Sequence, residues 1–151
     1  MTSANLENIL HQAEKQCVNN GTRLTHKRKH ILKILAASDA PLSAYEIADH
    51  YREQRSQNIP VMSVYRMLDF LANNNLVHKL SSTNKFIACA HIACSHAHEV
   101  PQFLICDKCH QVREVGINRQ VISALQESVG SVDFQLNSPQ LELHGLCENC
   151  R

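Results

Sequence analysis

Tryptophan is absent, and the chain has only three tyrosines and four phenylalanines among its 151 residues. With 44% apolar residues it can still build a core, but an aliphatic one. No apolar run reaches the roughly 18 residues that a membrane-crossing helix needs. The start, "MTSANLENIL", lacks a basic segment followed by an apolar block, so no signal peptide is expected and the cytoplasm is the expected location. No internal repeat and no low-complexity segment stands out. The zinc-hydrolase pattern HExxH is missing. So is the deaminase pattern, H-x-E followed by P-C-x-x-C: "LICDKC" carries no proline and His98-Glu99 are adjacent. A catalytic zinc is therefore not expected, and no catalytic residue is assigned.

What the chain does have is seven cysteines and ten histidines. In a reducing compartment seven cysteines point to metal or redox chemistry before disulfides. The net charge of +1 is uninformative, but its distribution is not. Residues 1–80 carry ten Lys/Arg against seven Asp/Glu, whereas residues 81–151 carry five against seven. The segment "RLTHKRKHILK" at 23–33 holds five basic residues and no acid, which fits a front half that faces nucleic acid.

The front half reads as helix. Leu6, Ile9, Leu10, Ala13 and Cys17 recur at helical spacing, so Cys17 belongs to a core stripe rather than to a metal site. Thr25 is a candidate N-cap for a second helix with Ile31, Leu32, Ile34 and Leu35 inward. Ser43-Ala44-Tyr45-Glu46 forms a capping box for a third, with Ala44, Ile47, Ala48 and Tyr51 inward. A fourth follows the break at Pro60 with Val64, Met67, Leu68 and Leu71 inward. An advance of about 100° per residue then sets Arg66, Asp69 and Asn73 outward. "LVHKLSSTNKFIAC" reads as two short strands joined by Ser-Ser-Thr-Asn. Helices closed by one hairpin suggest a winged helix-turn-helix, with the fourth helix in the major groove.

The back half reads as α+β. Gln102–Cys106 and Gln111–Val115 suit strands. Asn118 suits the cap of a helix with Val121, Ile122, Leu125 and Val129 inward, ended by Gly130. Val132, Phe134 and Leu136 alternate as a strand would, as do Leu141 and Leu143. The expected fold class is α+β: a winged helix over 1–84, a metal-binding hinge over 85–100, and a small α/β dimerisation domain over 101–151. A unit that small needs a staple, a partner subunit, or both.

Cys106-x-x-Cys109 and Cys147-x-x-Cys150 supply the staple. Each CxxC turn aims two thiolates at one ion, and two turns complete a tetrahedron suited to Zn²⁺. Four thiolates leave no open position, so the site is structural. A second nest has mixed donors: His78, then Cys89, His91, Cys94, His96, His98 and Glu99 in "CAHIACSHAHE", then Glu114. A thiolate among them favours Zn²⁺ over Fe²⁺ or Mn²⁺. Two histidines, one cysteine and one glutamate carry two negative charges and neutralise the ion. Such a site is weaker and more pH-sensitive than the all-sulfur one. His78 and Cys89 come from the front half, His98 and Glu114 from the back, so an ion held by all four would link the halves.

The segments "RLTHKRKHIL", "SAYEIADHYRE", "SVYRMLDFLANNNLVHKLSSTNKFIAC", "FLICDKCHQVREV" and "HGLCENC" together resemble the ferric-uptake-regulator superfamily, within it the zinc-sensing branch of Gram-negative bacteria. The resemblance runs from about residue 6 to the last residue. It implies a homodimer of winged helices on dimerisation domains, two Zn²⁺ per subunit, and metal-dependent repression of zinc-uptake genes from an AT-rich palindromic operator. By motif it implies Cys106, Cys109, Cys147 and Cys150 as structural ligands, and His78, Cys89 and Glu114 as sensing ligands. The fourth sensing ligand is His98, with His96 as the alternative because the loop after Cys89 is slightly long for the family. His91, Cys94 and His144 receive no role. Tyr45 and Arg66 match DNA-contacting positions. Arg66 can also be read from chemistry alone, as a guanidinium paired with guanine. Ser63, Tyr65, Lys27 and Arg28 join the expected DNA-facing set, with Arg23 and Lys29 as further phosphate partners. Iron- and peroxide-sensing relatives usually carry an unbroken histidine run where this chain has Cys89 and scattered histidines. Sensors of iron, manganese or peroxide are the nearest alternative. A zinc-dependent hydrolase or deaminase and a zinc-ribbon interaction module stand further off.

Overall fold

A computed structural model describes residues 3–93 and 100–151. The chain folds as two units, Met1–Cys94 and Ser95–Arg151. Among the described residues no helix is long and apolar enough to cross a membrane.

The first unit runs α1 (Ser3–Asn19), α2 (His26–Ala37), α3 (Ala44–Arg55), α4 (Val61–Asn73), β1 (Val77–Leu80) and β2 (Lys85–Ala88). The expected starts are all in place. Thr25 Oγ1 accepts from Arg28 N, and Ser43 and Glu46 close a reciprocal capping box. Pro60 sits just outside α4, where its missing N–H is not needed. Leu10, Ala13 and Cys17 of α1 meet Ile31, Leu32 and Leu35 of α2, Ile47 and Tyr51 of α3, and Val64, Leu68 and Leu71 of α4 in one core. β1 and β2 pair antiparallel, Val77 opposite Ala88 and Leu80 opposite Lys85. Leu42 joins them through a two-way backbone bridge to Phe86. This is the winged arrangement expected.

The expected boundary at residue 84 falls inside this hairpin. β2 can satisfy its backbone only against β1 and Leu42, and Phe86, Cys89 and Ile92 pack into the same core. The front part of the proposed hinge therefore belongs to the first unit.

The second unit holds β3 (Val100–Cys106), β4 (Val112–Ile117), α5 (Arg119–Gly130) and β5 (Glu142–Gly145), with strand order β4-β3-β5. β3 and β4 form an antiparallel pair, whereas β5 returns parallel to β3 after α5. Gln102 fixes that return. Its fully buried amide accepts from Leu141 N at 2.6 Å and donates to Pro139 O at 2.8 Å, drawing the chain onto β3. Asn118 caps α5 as expected, its side chain accepting from Gln120 N.

Three expectations fail in this unit. Val132–Leu136 is not a strand, because its first residues end α5 instead. Asp133 N donates to Gly130 O at 3.1 Å and Phe134 N to Val129 O at 3.2 Å, the paired bonds of a Schellman turn. The left-handed residue is Asp133, at φ 57°, so Gly130 stays helical and is not the terminator. Only Ile122 of α5 is buried; Val121 is 58% exposed, off the inward face expected for it.

Candidate metal centres and nucleic-acid face

The four paired cysteines come together in the second unit. Cys106 ends β3, Cys109 closes the turn to β4, and Cys147 and Cys150 follow β5, so the parallel β3–β5 pairing brings the two CxxC turns side by side. Their four sulfurs lie within 4.8 Å of one another. The Sγ atoms of Cys109 and Cys147 are 3.7 Å apart. Thiolates on a tetrahedral zinc with Zn–S near 2.3 Å stand about 3.8 Å apart, so the nest fits that ion. Cys147 N donates to Cys106 Sγ at 3.4 Å. Backbone N–H groups of Cys109, Cys147 and Lys108 hold the Cys106 thiol down to about 6. The neighbouring sulfurs push Cys150 up to about 12, because its proton is shared with Cys147 and a second anion beside Cys106 is unfavourable. A dication removes that conflict, as metal binding to thiols requires.

In the first unit His78 stands on β1, opposite Ile87, and Cys89 follows β2 directly. Their ligand atoms lie within 4.8 Å of each other. Cys89 is buried and its backbone N–H donates to Leu76 O at 2.9 Å, which seats it beside the strand that carries His78. Glu114 stands on β4 of the second unit, opposite Phe103 and half-buried. His91 is half-buried in the turn after Cys89. His144 pairs with Asp107 at 2.9 Å beside the cysteine nest. Cys94, His96, His98 and Glu99 lie outside the described residues.

Met62, Arg66, Asp69 and Asn73 form the exposed stripe of α4. Tyr45, at the start of α3, is 65% exposed and Lys27 is exposed on α2. Ser63 is half-buried in the first turn of α4. Other members of the expected DNA-facing set have partners within the fold. Tyr65 is half-buried, edge-on to Phe86 with ring centroids 6.5 Å apart. Arg28 lays its guanidinium 3.7 Å above the Phe70 ring and donates to Arg23 O at 2.9 Å. Lys29 holds Glu14 at 2.6 Å. No sequence signal marks the Arg28–Phe70 stack, because neither periodicity nor motif ties residues on different helices.

The family model of the ferric uptake regulator family matches residues 19–144. The chain belongs to the ferric uptake regulator family. This family member is 35% identical over 150 residues to the zinc uptake regulation protein of Escherichia coli (strain K12), an alignment that covers 99% of this chain and 85% of that one. Among solved structures it is similar to holo XcZur, with 41% identity, a TM-score of 0.76 and coverage of 93% and 94%. It is also similar to a zinc uptake regulator complexed with zinc and DNA, with 32% identity, a TM-score of 0.81 and coverage of 99% and 95%. As a member of a regulator family it is not an enzyme. Its fold is that of these neighbours, a DNA-binding winged helix followed by an α/β domain.

Proposed function

We propose that the chain is a zinc-responsive transcriptional repressor, a homodimer that binds operator DNA when zinc-loaded and shuts off zinc-uptake genes. The observation that carries this reading is the presence of two unlike nests in a chain with that kinship. One is a closed set of four thiolates; the other is a His78–Cys89 pair in the DNA-binding unit. A tight site that holds the fold and an adjustable site that reads the cell are what a sensor needs.

Cys106, Cys109, Cys147 and Cys150 hold the structural zinc. His78 and Cys89 are completed by Glu114 and His98, with His96 as the alternative, giving two Zn²⁺ per subunit. The mixed donor set supports this: its two anionic ligands neutralise the ion, and its imidazoles must lose their protons to bind, so occupancy stays adjustable. Zinc adds no contact to DNA in this reading; it fixes the geometry in which two recognition helices reach half-sites about 34 Å apart. Arg66 reads a base edge, Tyr45 and Ser63 approach the groove wall, and Lys27 holds phosphate, as Arg28 and Tyr65 do where their internal partners leave an edge free. The operator is an AT-rich palindrome and the compartment is the cytoplasm.

The test is Cys89→Ser, titrated with buffered free zinc against a duplex selected from a random pool by zinc-loaded wild type. The variant is expected to keep one zinc per chain and its dimer, and to lose zinc-dependent DNA binding. If it still needs zinc to bind, the sensing assignment is wrong.

A further inference from the structure

Where α4 ends, three side chains meet on one buried residue. Asn74 is 4% exposed. Its Oδ1 accepts from Asn20 Nδ2 at 3.2 Å and lies 2.9 Å from Thr22 Oγ1, which also reaches Cys17 O. Its Nδ2 donates to Phe70 O at 2.9 Å, and its carbonyl accepts from Gln16 Nε2 at 2.6 Å. Every polar group of the Asn74 side chain is satisfied, and all its cross-helix partners come from α1 and the turn after it. The end of the recognition helix is therefore tied to α1 rather than left to fray.

The same turn adjoins both sensing residues of the first unit. Asn75, at φ 57°, takes the left-handed position; its N–H donates to Ala72 O at 3.0 Å and Leu76 N–H to Leu71 O at 2.9 Å. Leu76 O then accepts from Cys89 N at 2.9 Å, and β1 with His78 begins one residue later. One short stretch thus receives α1 through Asn74, Cys89 through Leu76, and His78 through the chain itself. In the other direction it continues into α4 and Arg66.

We propose that Asn74 is a positioning residue that couples zinc capture by His78 and Cys89 to the attitude of the recognition helix. The proposal rests on the sensing role given to those two ligands. Its physical content is leverage. A pull on His78 and Cys89 reaches α4 at an end that cannot slide along α1, so it tilts the helix and re-aims Arg66. With the tie loosened, the same pull is absorbed at the helix terminus. The Asn74 junction makes no contact with metal or DNA; it acts through α4 and β1.

The variant of choice is Thr22→Val, which removes one donor to Asn74 at an exposed position while keeping shape; Asn20→Ala is the second, exposed in the turn just after α1. Affinity for the selected duplex is measured on the full chain at saturating and at depleted buffered zinc, together with zinc per chain and the thermal midpoint. The ratio of loaded to depleted affinity is expected to fall on the order of fivefold or more. Depleted affinity and zinc content should stay constant, and Thr22→Ser should restore the ratio. An unchanged ratio overturns the proposal. Equal loss at both zinc levels also overturns it, because that is what a merely weakened fold gives. Cys89→Ser, run alongside, separates the premises. If it abolishes zinc dependence and Thr22→Val leaves dependence intact, the sensing site stands and the coupling role of Asn74 falls. If Cys89→Ser keeps zinc dependence, both fall.

Discussion

Arg66 and Arg28 both belong to the DNA-binding unit, and the fold uses them differently. Arg66 projects from the exposed stripe of α4, whereas Arg28 lies flat on Phe70. Arg66→Ala is expected to leave the thermal midpoint unchanged and to relax discrimination between selected and scrambled duplexes by about 1–3 kcal/mol. Equal affinity ratios before and after the change would remove Arg66 from the reading set. Arg28→Ala should show up first in stability, by about 0.5–1 kcal/mol, because a cation over an aromatic face is lost. A thermal midpoint that does not move would show the stack to be idle. The outward aim of Arg66 was legible in the sequence because helical phase is fixed by spacing alone. The fate of Arg28 was not, since it depends on which helix α2 meets. Asn74 was hidden for the same reason: a buried asparagine after a helix reads as a turn residue until its partners on α1 are known.

At the scale of elements, the helix starts were readable because capping is local chemistry. Ser43→Ala removes the acceptor for Glu46 N and is expected to cost about 1 kcal/mol in denaturant unfolding. The capping box also leaves a pH signature. The Ser43 backbone N–H, with Lys85 at 3.2 Å, holds the Glu46 carboxyl below its ordinary value. A carboxyl lowered in the folded state stabilises above its unfolded pKa, and that contribution disappears as pH falls through the lowered value. Glu14, lowered by Lys29, acts in the same sense. Glu46→Gln should therefore flatten the acid limb of the stability–pH curve below about pH 4.5. A limb of unchanged steepness in chemical unfolding at stepped pH would rule the box out as a source. Helix ends and strands were harder to read. Gly130 looked like a terminator, yet the left-handed position fell one turn later, on Asp133. The alternation of Val132, Phe134 and Leu136 is a strand pattern, but strand formation needs a free backbone edge as well as a pattern. Asp133 and Phe134 have their N–H groups turned back onto α5.

For the molecule as a whole, the two units differ in what holds them. The first packs largely aliphatic side chains from four helices and a hairpin into one core. The second has a thin interior, with Phe103, Gln102, Ile105, Cys106 and Ile122 as its buried residues among those described. A unit of that size falls below what a hydrophobic core usually supports alone. Its four cysteines sit where β3, the turn to β4 and the chain after β5 converge, so one ion held there would cross-link the ends of the sheet. Structural zinc in such a setting is folding free energy outright. The double variant Cys109→Ser, Cys147→Ser should therefore unfold the second unit while leaving the first helical and cooperative. Native-state hydrogen exchange reads this directly. Amides of β3, β4 and β5 should lose protection, and those of α2 and α4 should keep it. Dimer and operator binding should go with the second unit, since an isolated winged helix presents one half-site reader. Should the β3 amides stay protected without bound zinc, the small core would be self-sufficient, and the four cysteines would need a role other than holding the fold.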